Sequence, residues 1–470
     1  MTPLDFQTAL NLRQQKHLEA LIIRYNQKTK TSKQMAQTYR PFLATNRASI
    51  GFTWHNKEIF YPILMERSQG SKMWDVDGNE YVDQTLGFGI NFCGYNPPFI
   101  KQAISEQLER GMQHGAQAAL SGEVAQLFCE ITGMEKVAFC SVGTEALLLA
   151  LRIARAATGL HKIAIFAGSY HGNVDGTLAE SQEIEGNLQA VSLYPGVTPN
   201  TLKDFLVLEY GNPDSLEVIK EHHQTLAAIL IEPVQQSRPA LQAKEFIQQL
   251  RQLTKELGIV LIFDEMVTGF RIHPGGAQAW FNIKADIATY GKVIAGGMPI
   301  AAVAGKAIYM DRIDGGMWNY GDSSFPEVPI VWSGTSYGRH SLSLVAAKAF
   351  LTHLKTHGAA LQEQLNLRTS RLTTSINTYL EAEKLPFRMS HFGSFFNTDI
   401  STNLRIFKNS ALLIGMNLLY YHLVNRGILT NSGSGFLSTA HTDEDCARII
   451  QAVKDSIEEL REGEFLLNKF

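Results

Sequence analysis

The spacing of apolar residues changes along this chain. From about residue 137, short apolar runs of strand length alternate with stretches whose apolar positions recur every three or four residues. The runs are Val137–Cys140, Lys162–Ala167, Leu226–Ile231, Ile259–Phe263 and Ile287–Tyr290. Ile259–Phe263 has no polar interruption, as a central strand buried on both faces requires. Between the runs, Leu147, Leu148, Leu151 and Ala154 share one helical face that stops at Gly159. Phe246, Leu250, Leu253 and Leu257 share another that stops at Gly258. A glycine just past the last periodic residue is a common helix stop. This alternation predicts an α/β fold with a mostly parallel sheet covered by helices.

The flanks differ. Residues 1–45 are polar, with an amphipathic helix expected from Leu4 to Tyr25 on the spacing of Leu18, Leu21 and Ile22. Lys28–Lys33 reads as a solvated linker, and the whole segment either packs on its own domain or serves in docking. Trp74–Val82 predicts a hairpin with an Asp77-Gly78 turn. Gly87–Pro98 is a glycine-rich loop with aromatics, suited to lining a pocket or to connecting. Residues 99–133 read as mostly helical. From about 340 a second region opens with a helix, His340–Lys355, and closes with a charged one, Glu444–Glu462. The expected division is an N-terminal helix and linker (1–45), a segment joining the small domain (46–100), a large domain (101–339) and a smaller α+β C-terminal domain (340–470).

Composition narrows the class. The 470 residues are 45% hydrophobic and 19% charged, enough for a large core. A net charge of −3 indicates neither a nucleic-acid nor an anionic-membrane partner. Four cysteines without CxxC spacing fit reduced thiols. Charges interrupt the apolar stretches before residue 30, and no run is long enough to span a bilayer, so a cytoplasmic protein is expected. No metal-ligand set is expected.

Two strand ends carry the chemistry. Asp264 closes the apolar run from Ile259, at the end where open α/β sheets place ligands. A carboxylate buried there needs a cationic partner. Its plainer reading is a helix cap or a surface ion pair. Lys292 follows Ile287–Tyr290 and precedes a Gly296-Gly-Met-Pro299 turn. Burial would make its amine nucleophilic, although most such lysines are loop residues. An aspartate that keeps a pyridinium charged, with a lysine able to form a Schiff base, is the pair used by pyridoxal phosphate enzymes. Ser141-Val-Gly-Thr144 joins a strand to a helix start, a geometry that offers backbone N–H groups to a phosphate.

These residues resemble a family. Gly143-Thr-Glu-Ala146, Tyr170-His-Gly172, Glu232-Pro-Val234, Asp264-Glu265 with Thr268-Gly-Phe-Arg271, Gly291–Pro299 and Gly334-Thr335 stand in the order of class III, fold-type I pyridoxal phosphate-dependent aminotransferases. The resemblance covers roughly residues 50–460, and in these motifs it is nearest the glutamate-1-semialdehyde aminomutase branch. Thr29–Ser32, Asp314–Asp322 and Phe436–Glu444 look like aminotransferase domains of hybrid polyketide–nonribosomal peptide synthases of the mycosubtilin and microcystin kind.

The resemblance implies roles. Lys292 would hold pyridoxal 5′-phosphate and move protons, and Asp264 would pair with its ring nitrogen. Tyr170 would stack on the ring, with His171 among the cofactor contacts. Ser141, Val142, Gly143 and Thr144 would form the phosphate cup, and Thr335 would reach the phosphate of a neighbouring subunit, implying a homodimer. Glu232 and Asn212 would surround the ring. Phe88 and Asn91 would border the substrate, and Arg271 is a candidate for the carboxylate of an amino-acid donor such as glutamate or glutamine. Relatives tend to have Asn-Ser where this chain has Ser141-Val142, which removes a hydroxyl. They also tend to place a small or β-branched residue against the second face of the ring, a role that would fall here to the flexible thioether of Met266. The implied reaction converts a β-keto acyl thioester on an acyl carrier protein to a β-amino acyl thioester. The alternatives are a glutamate-1-semialdehyde-type aminomutase, a small-molecule ω-aminotransferase, or a non-catalytic dimerising scaffold.

Overall fold

A computed structural model describes residues 10–45, 49–112, 119–184, 187–400, 410–431 and 433–466. The start of the expected Leu4–Tyr25 helix lies outside them. The chain forms two compact units. One comprises residues 90–92 and 98–366, the other residues 1–89, 93–97 and 367–470.

The first unit holds a seven-stranded sheet. Its strands are β1 (Lys136–Cys140), β2 (Lys162–Phe166), β3 (Phe205–Leu208), β4 (Leu226–Ile231), β5 (Val260–Asp264), β6 (Ile287–Tyr290) and β7 (Ala301–Gly305). Their order across the sheet is β1-β7-β6-β5-β4-β2-β3. Only β7 runs against its neighbours, pairing antiparallel with both β6 and β1. Every residue of β4, β5, β6 and β7 is buried, which explains their unbroken apolar runs. The helix Gly143–Thr158 lays Leu147, Ala150, Leu151 and Ala154 into the same core as Ile163, Val207, Ile262 and Val303. The helix Ser341–His357 belongs to this unit, because it packs against the helices Pro98–Arg110 and Leu120–Thr132. The unit therefore runs on to Asn366, past the expected boundary near 340.

The second unit is α+β. Met65–Gln69, Lys72–Asp75, Glu80–Asp83 and Ile428–Leu429 form one sheet, and Phe387–Phe392, Phe395–Ile400 and Gly435–Phe436 form another. The expected hairpin is present: Asp75 Oδ1 accepts the N–H groups of Asp77 and Asn79 at 3.0 and 2.8 Å. Lys28–Lys33 is not a solvated linker. It spans the junction of two helices, Leu12–Lys28 and Lys30–Tyr39, with Thr29 and Ser32 fully buried. Asp77 accepts the N–H groups of Thr31 and Ser32 at 2.6 and 3.0 Å and so caps the second helix.

The first helix is held by a charged cluster. His17 Nε2 lies 3.1 Å from His422 Nε2, and His422 Nδ1 lies 3.4 Å from a Glu459 oxygen that Arg426 holds at 2.5 Å. Arg24 binds the other oxygen. Two guanidiniums already neutralise this carboxylate, so we read the group as an ion-pair clasp rather than a metal centre. Burial, and then His422, push His17 down to about 4. The folded value is depressed, so this contribution to stability is present above the ordinary value of 6.5 and is lost as pH falls toward 4. The urea midpoint should fall over that window, and His17→Gln should flatten the slope. Equal slopes for the two proteins would exclude the clasp as its source.

Four consecutive residues of this unit, Leu86 to Gly89, have φ of 45°, 63°, 64° and 85°. Such a left-handed turn costs a non-glycine residue roughly 1–2 kcal/mol. Asp83 holds it by accepting the N–H groups of Thr85 and Leu86 at 2.7 and 3.0 Å. The Phe436 ring stands 2.6 Å from where a Cβ on Gly89 would lie.

Candidate active site

The carboxyl ends of β1, β2, β4, β5 and β6 lie along one edge of the sheet. Lys292 directly follows β6. It adopts φ of 47°, a left-handed conformation that a non-glycine residue keeps only where the surrounding structure holds it, and that is enriched at active sites. The side chain is half-buried, and burial lowers its amine to about 8. Arg271 pushes the same way, while Glu232 and Asp264 oppose it. A lysine poised near 8 supplies neutral amine close to neutral pH.

Asp264, at the end of β5, is buried. Its Oδ2 lies 2.7 Å from His171 Nδ1. Its Oδ1 accepts the Met266 N–H at 3.1 Å and the Thr289 hydroxyl at 3.3 Å. Thr289 stands opposite Asp264 in the β5–β6 register. His171 Nε2 is buried without a hydrogen-bond partner, whereas Nδ1 donates its N–H to Asp264. Glu232, after β4, accepts the N–H groups of Tyr170 at 2.9 Å and Gln236 at 3.3 Å. Burial raises its carboxyl. The Tyr170 ring is 67% exposed, free to cover a planar ligand.

At the end of β1 the helix Gly143–Thr158 starts without a side-chain cap on Val142. The Glu145 and Ala146 N–H groups return to the Val142 carbonyl at 3.1 and 3.3 Å. Those of Gly143 and Thr144 remain for an anion at the positive end of the helix. The Thr144 hydroxyl accepts the Asn173 N–H at 3.2 Å, tying the cup to the Tyr170 loop. Glu145 accepts the Ser141 N–H at 2.7 Å and the Thr335 hydroxyl at 3.2 Å, and Thr335 Oγ1 lies 2.8 Å from Ser141 Oγ.

Thr335, expected to reach the phosphate of a neighbouring subunit, lies beside Ser141 and Glu145 of its own chain. Two other expectations change. Asn212 does not join the cluster: it is exposed after the edge strand β3, and its Oδ1 accepts the Asp214 N–H at 3.0 Å. Arg271 is fully buried, 5.5 Å from the centre of the Phe92 ring, and so has no surface to offer a substrate. Asn91 does lie close to the lysine turn, its Oδ1 3.2 Å from where a Cβ on Gly297 would stand. Phe88 lies in the left-handed turn of the other unit. Thr289 and Glu145 were given no role on sequence. The strand pairing that puts Thr289 beside Asp264 becomes visible only in the sheet.

The donor set fits pyridoxal phosphate: a desolvated lysine, a buried carboxylate for a pyridinium nitrogen, an exposed tyrosine ring, and two open N–H groups for a phosphate. That chemistry defines the class, a pyridoxal phosphate-dependent transferase. Residues 53–453 match the family model of the class-III aminotransferases, and the chain belongs to that family. It is 32% identical over 412 residues to a glutamate-1-semialdehyde 2,1-aminomutase of Chloroflexus aggregans, covering 85% of this chain and 91% of the relative. With the aminomutase of Alkaliphilus oremlandii it shares 34% identity over 412 residues, covering 85% and 92%. An ω-transaminase from Sphaerobacter thermophilus superposes with a TM-score of 0.80 at 26% identity, covering 92% of this chain and 98% of the other. A β-phenylalanine aminotransferase from Variovorax paradoxus gives 0.78 at 26% identity, covering 95% and 97%. No helix among the described residues is long and apolar enough to cross a membrane.

Proposed function

We propose that this aminotransferase aminates the β-carbonyl of an acyl chain tethered as a thioester to a carrier protein, using an amino-acid donor, and that it works as a homodimer. The observation that carries the reaction class is the desolvated Lys292 beside the buried Asp264–His171 pair. Bound pyridoxal phosphate would supply an electron sink that stores an amino group between donor and acceptor. Lys292 would attach it and carry a proton to and from the substrate carbon. Asp264, oriented by His171 and Thr289, would keep the ring nitrogen protonated. Gly143 and Thr144 would hold the phosphate, and Glu232 would fix the backbone of Tyr170.

Two features support the acceptor. The Thr29–Ser32 and Asp314–Asp322 segments resemble synthase-embedded aminotransferases, and a similar structure carries a name that places the amino group on a β-carbon. The relatives at 32–34% identity favour a second reading, an aminomutase acting on a free semialdehyde. Intact mass spectrometry decides between them. A carrier loaded with a β-keto acyl chain should show C=O replaced by CH–NH2 when donor is present. Turnover of glutamate-1-semialdehyde with no change in the carrier would establish the second reading instead.

Arg271 gives a further test. A buried guanidinium that depresses Lys292 acts on both half-reactions. Arg271→Ala should therefore slow amine uptake from the donor and amine delivery to the acceptor by similar factors in stopped-flow measurements. It should also raise the pH midpoint of Lys292. A loss confined to the donor half would restore Arg271 as the donor carboxylate's partner.

A further inference from the structure

The antiparallel strand β7 leaves a seam in the active edge. It separates β6, which carries Lys292, from β1, which carries the phosphate cup. Because β7 runs the other way, its beginning, Ala301, faces that edge rather than its end. The sheet fixes the strand ends Tyr290 and Cys140 on either side of β7, through Ala302 and Ala301, but Lys292 and Gly143 themselves lie beyond the paired residues.

Met266 crosses the seam from β5. Its Sδ lies 3.0 Å from where a Cβ on Gly143 would stand and 2.6 Å from where one on Gly291 would stand. Its Cε is 3.3 and 3.6 Å from the same two points. Real Cβ atoms do not tolerate the closer approach, so a single thioether packs on two glycines: the first residue of the cup helix and the residue before Lys292. Ala301, at 3.7 Å from the Gly291 point, lies nearby. The Met266 N–H is fixed by Asp264, so the wedge is anchored to the ring-nitrogen carboxylate. Neither glycine has a left-handed φ. Close approach, not backbone conformation, is what keeps a side chain out of both positions. An unbranched, polarisable side chain suits an irregular gap of this kind.

We propose that Met266 is a positioning residue that sets the separation between Lys292 and the Gly143–Thr144 cup, so that one ligand engages both. A ligand held at both ends gains from that fixed spacing, whereas a ligand held at one end does not.

The test compares pyridoxal phosphate with pyridoxal, which lacks the phosphate, by absorbance titration of the cofactor-free protein. Wild type should prefer the phosphorylated form strongly. Met266→Ala should reduce that preference by roughly tenfold or more, chiefly by weakening pyridoxal phosphate. Met266→Leu, of similar volume, should retain most of it. Gly291→Ala should also lose the preference, and adding Met266→Ala to it should restore part of the loss, since the thioether is what the new methyl meets. Equal weakening of both ligands by Met266→Ala, or no rescue in the double variant, would overturn the proposal. A wild-type protein that binds neither ligand would instead overturn the cofactor assignment on which it rests. If Met266→Ala fails to fold, the Leu variant and the Gly291→Ala comparison decide.

Discussion

Lys292→Ala should abolish both turnover and covalent retention of the cofactor, while the protein still folds. Loss of a positioned acid–base group alone costs about 10²–10⁴-fold, and here the same side chain also makes the attachment. Wild type treated with borohydride should yield one labelled peptide, the one containing Gly291-Lys292-Val293. The label should form faster as pH rises toward the lysine's value of about 8 and level off above it, because only the neutral amine reacts. A labelled peptide bearing any other lysine would refute the assignment. Stability should suffer little, because Lys292 makes no hydrogen bond or ion pair with other described residues. Alanine fits the left-handed φ no worse than lysine does.

Asp264→Asn should cut the rate while Glu265→Gln should cut stability, although the two residues are adjacent and both buried. Removing one member of a buried charge pair costs roughly 2–5 kcal/mol, which is about thirty-fold to several thousand-fold in rate. Asparagine retains an acceptor for Thr289 and the Met266 N–H but cannot stabilise a protonated ring nitrogen. Glu265 has a different task. It accepts the Thr268 hydroxyl and the N–H groups of Ala277 and Gln278, at 2.9 and 3.0 Å, so it pins the start of the helix Gly276–Phe281. An amide there would turn an NH2 toward backbone donors and leave buried groups unpaired, at about 1–3 kcal/mol. Thermal melts and single-turnover rates on both variants separate the effects. Comparable single-turnover rates for Asp264→Asn and wild type would reject the electrostatic role.

The sheet and its two chemical residues were legible because they violate a cost. An unbroken apolar run that ends in a carboxylate, or leads into a lysine, is expensive unless the charge is used, and both positions stand out on that ground. What the sequence hid lies in pairings distant along the chain. Arg271 is buried against Phe92, a contact that no periodicity announces. Thr29 and Ser32 sit in a run of lysines that reads as solvated. Yet they fill the inner face of a helix junction whose partners, Tyr61 and Asp77, lie in the following segment. The resemblance alone put Asn212 beside the ring, but β3 is the edge of the sheet and the next helix claims the side chain.

The unit built from both ends of the chain has a consequence for how the protein is made. Val82 pairs with Ile428, and Glu80 bonds Arg448, so the early strands emerge from the ribosome long before their partners exist. The intervening unit, closed by Asn366, can complete its sheet while the N-terminal portion is still waiting. Synthesis of Ile428–Leu429 and of the helix Asp443–Glu462 is then the event that completes the second unit. Contacts of such high sequence separation form slowly and leave apolar strands exposed in the interval. A chain stopped before Ile428 should keep the lysine-bearing sheet intact but strand the N-terminal hairpin without its edge, a form that chaperones and proteases would meet first.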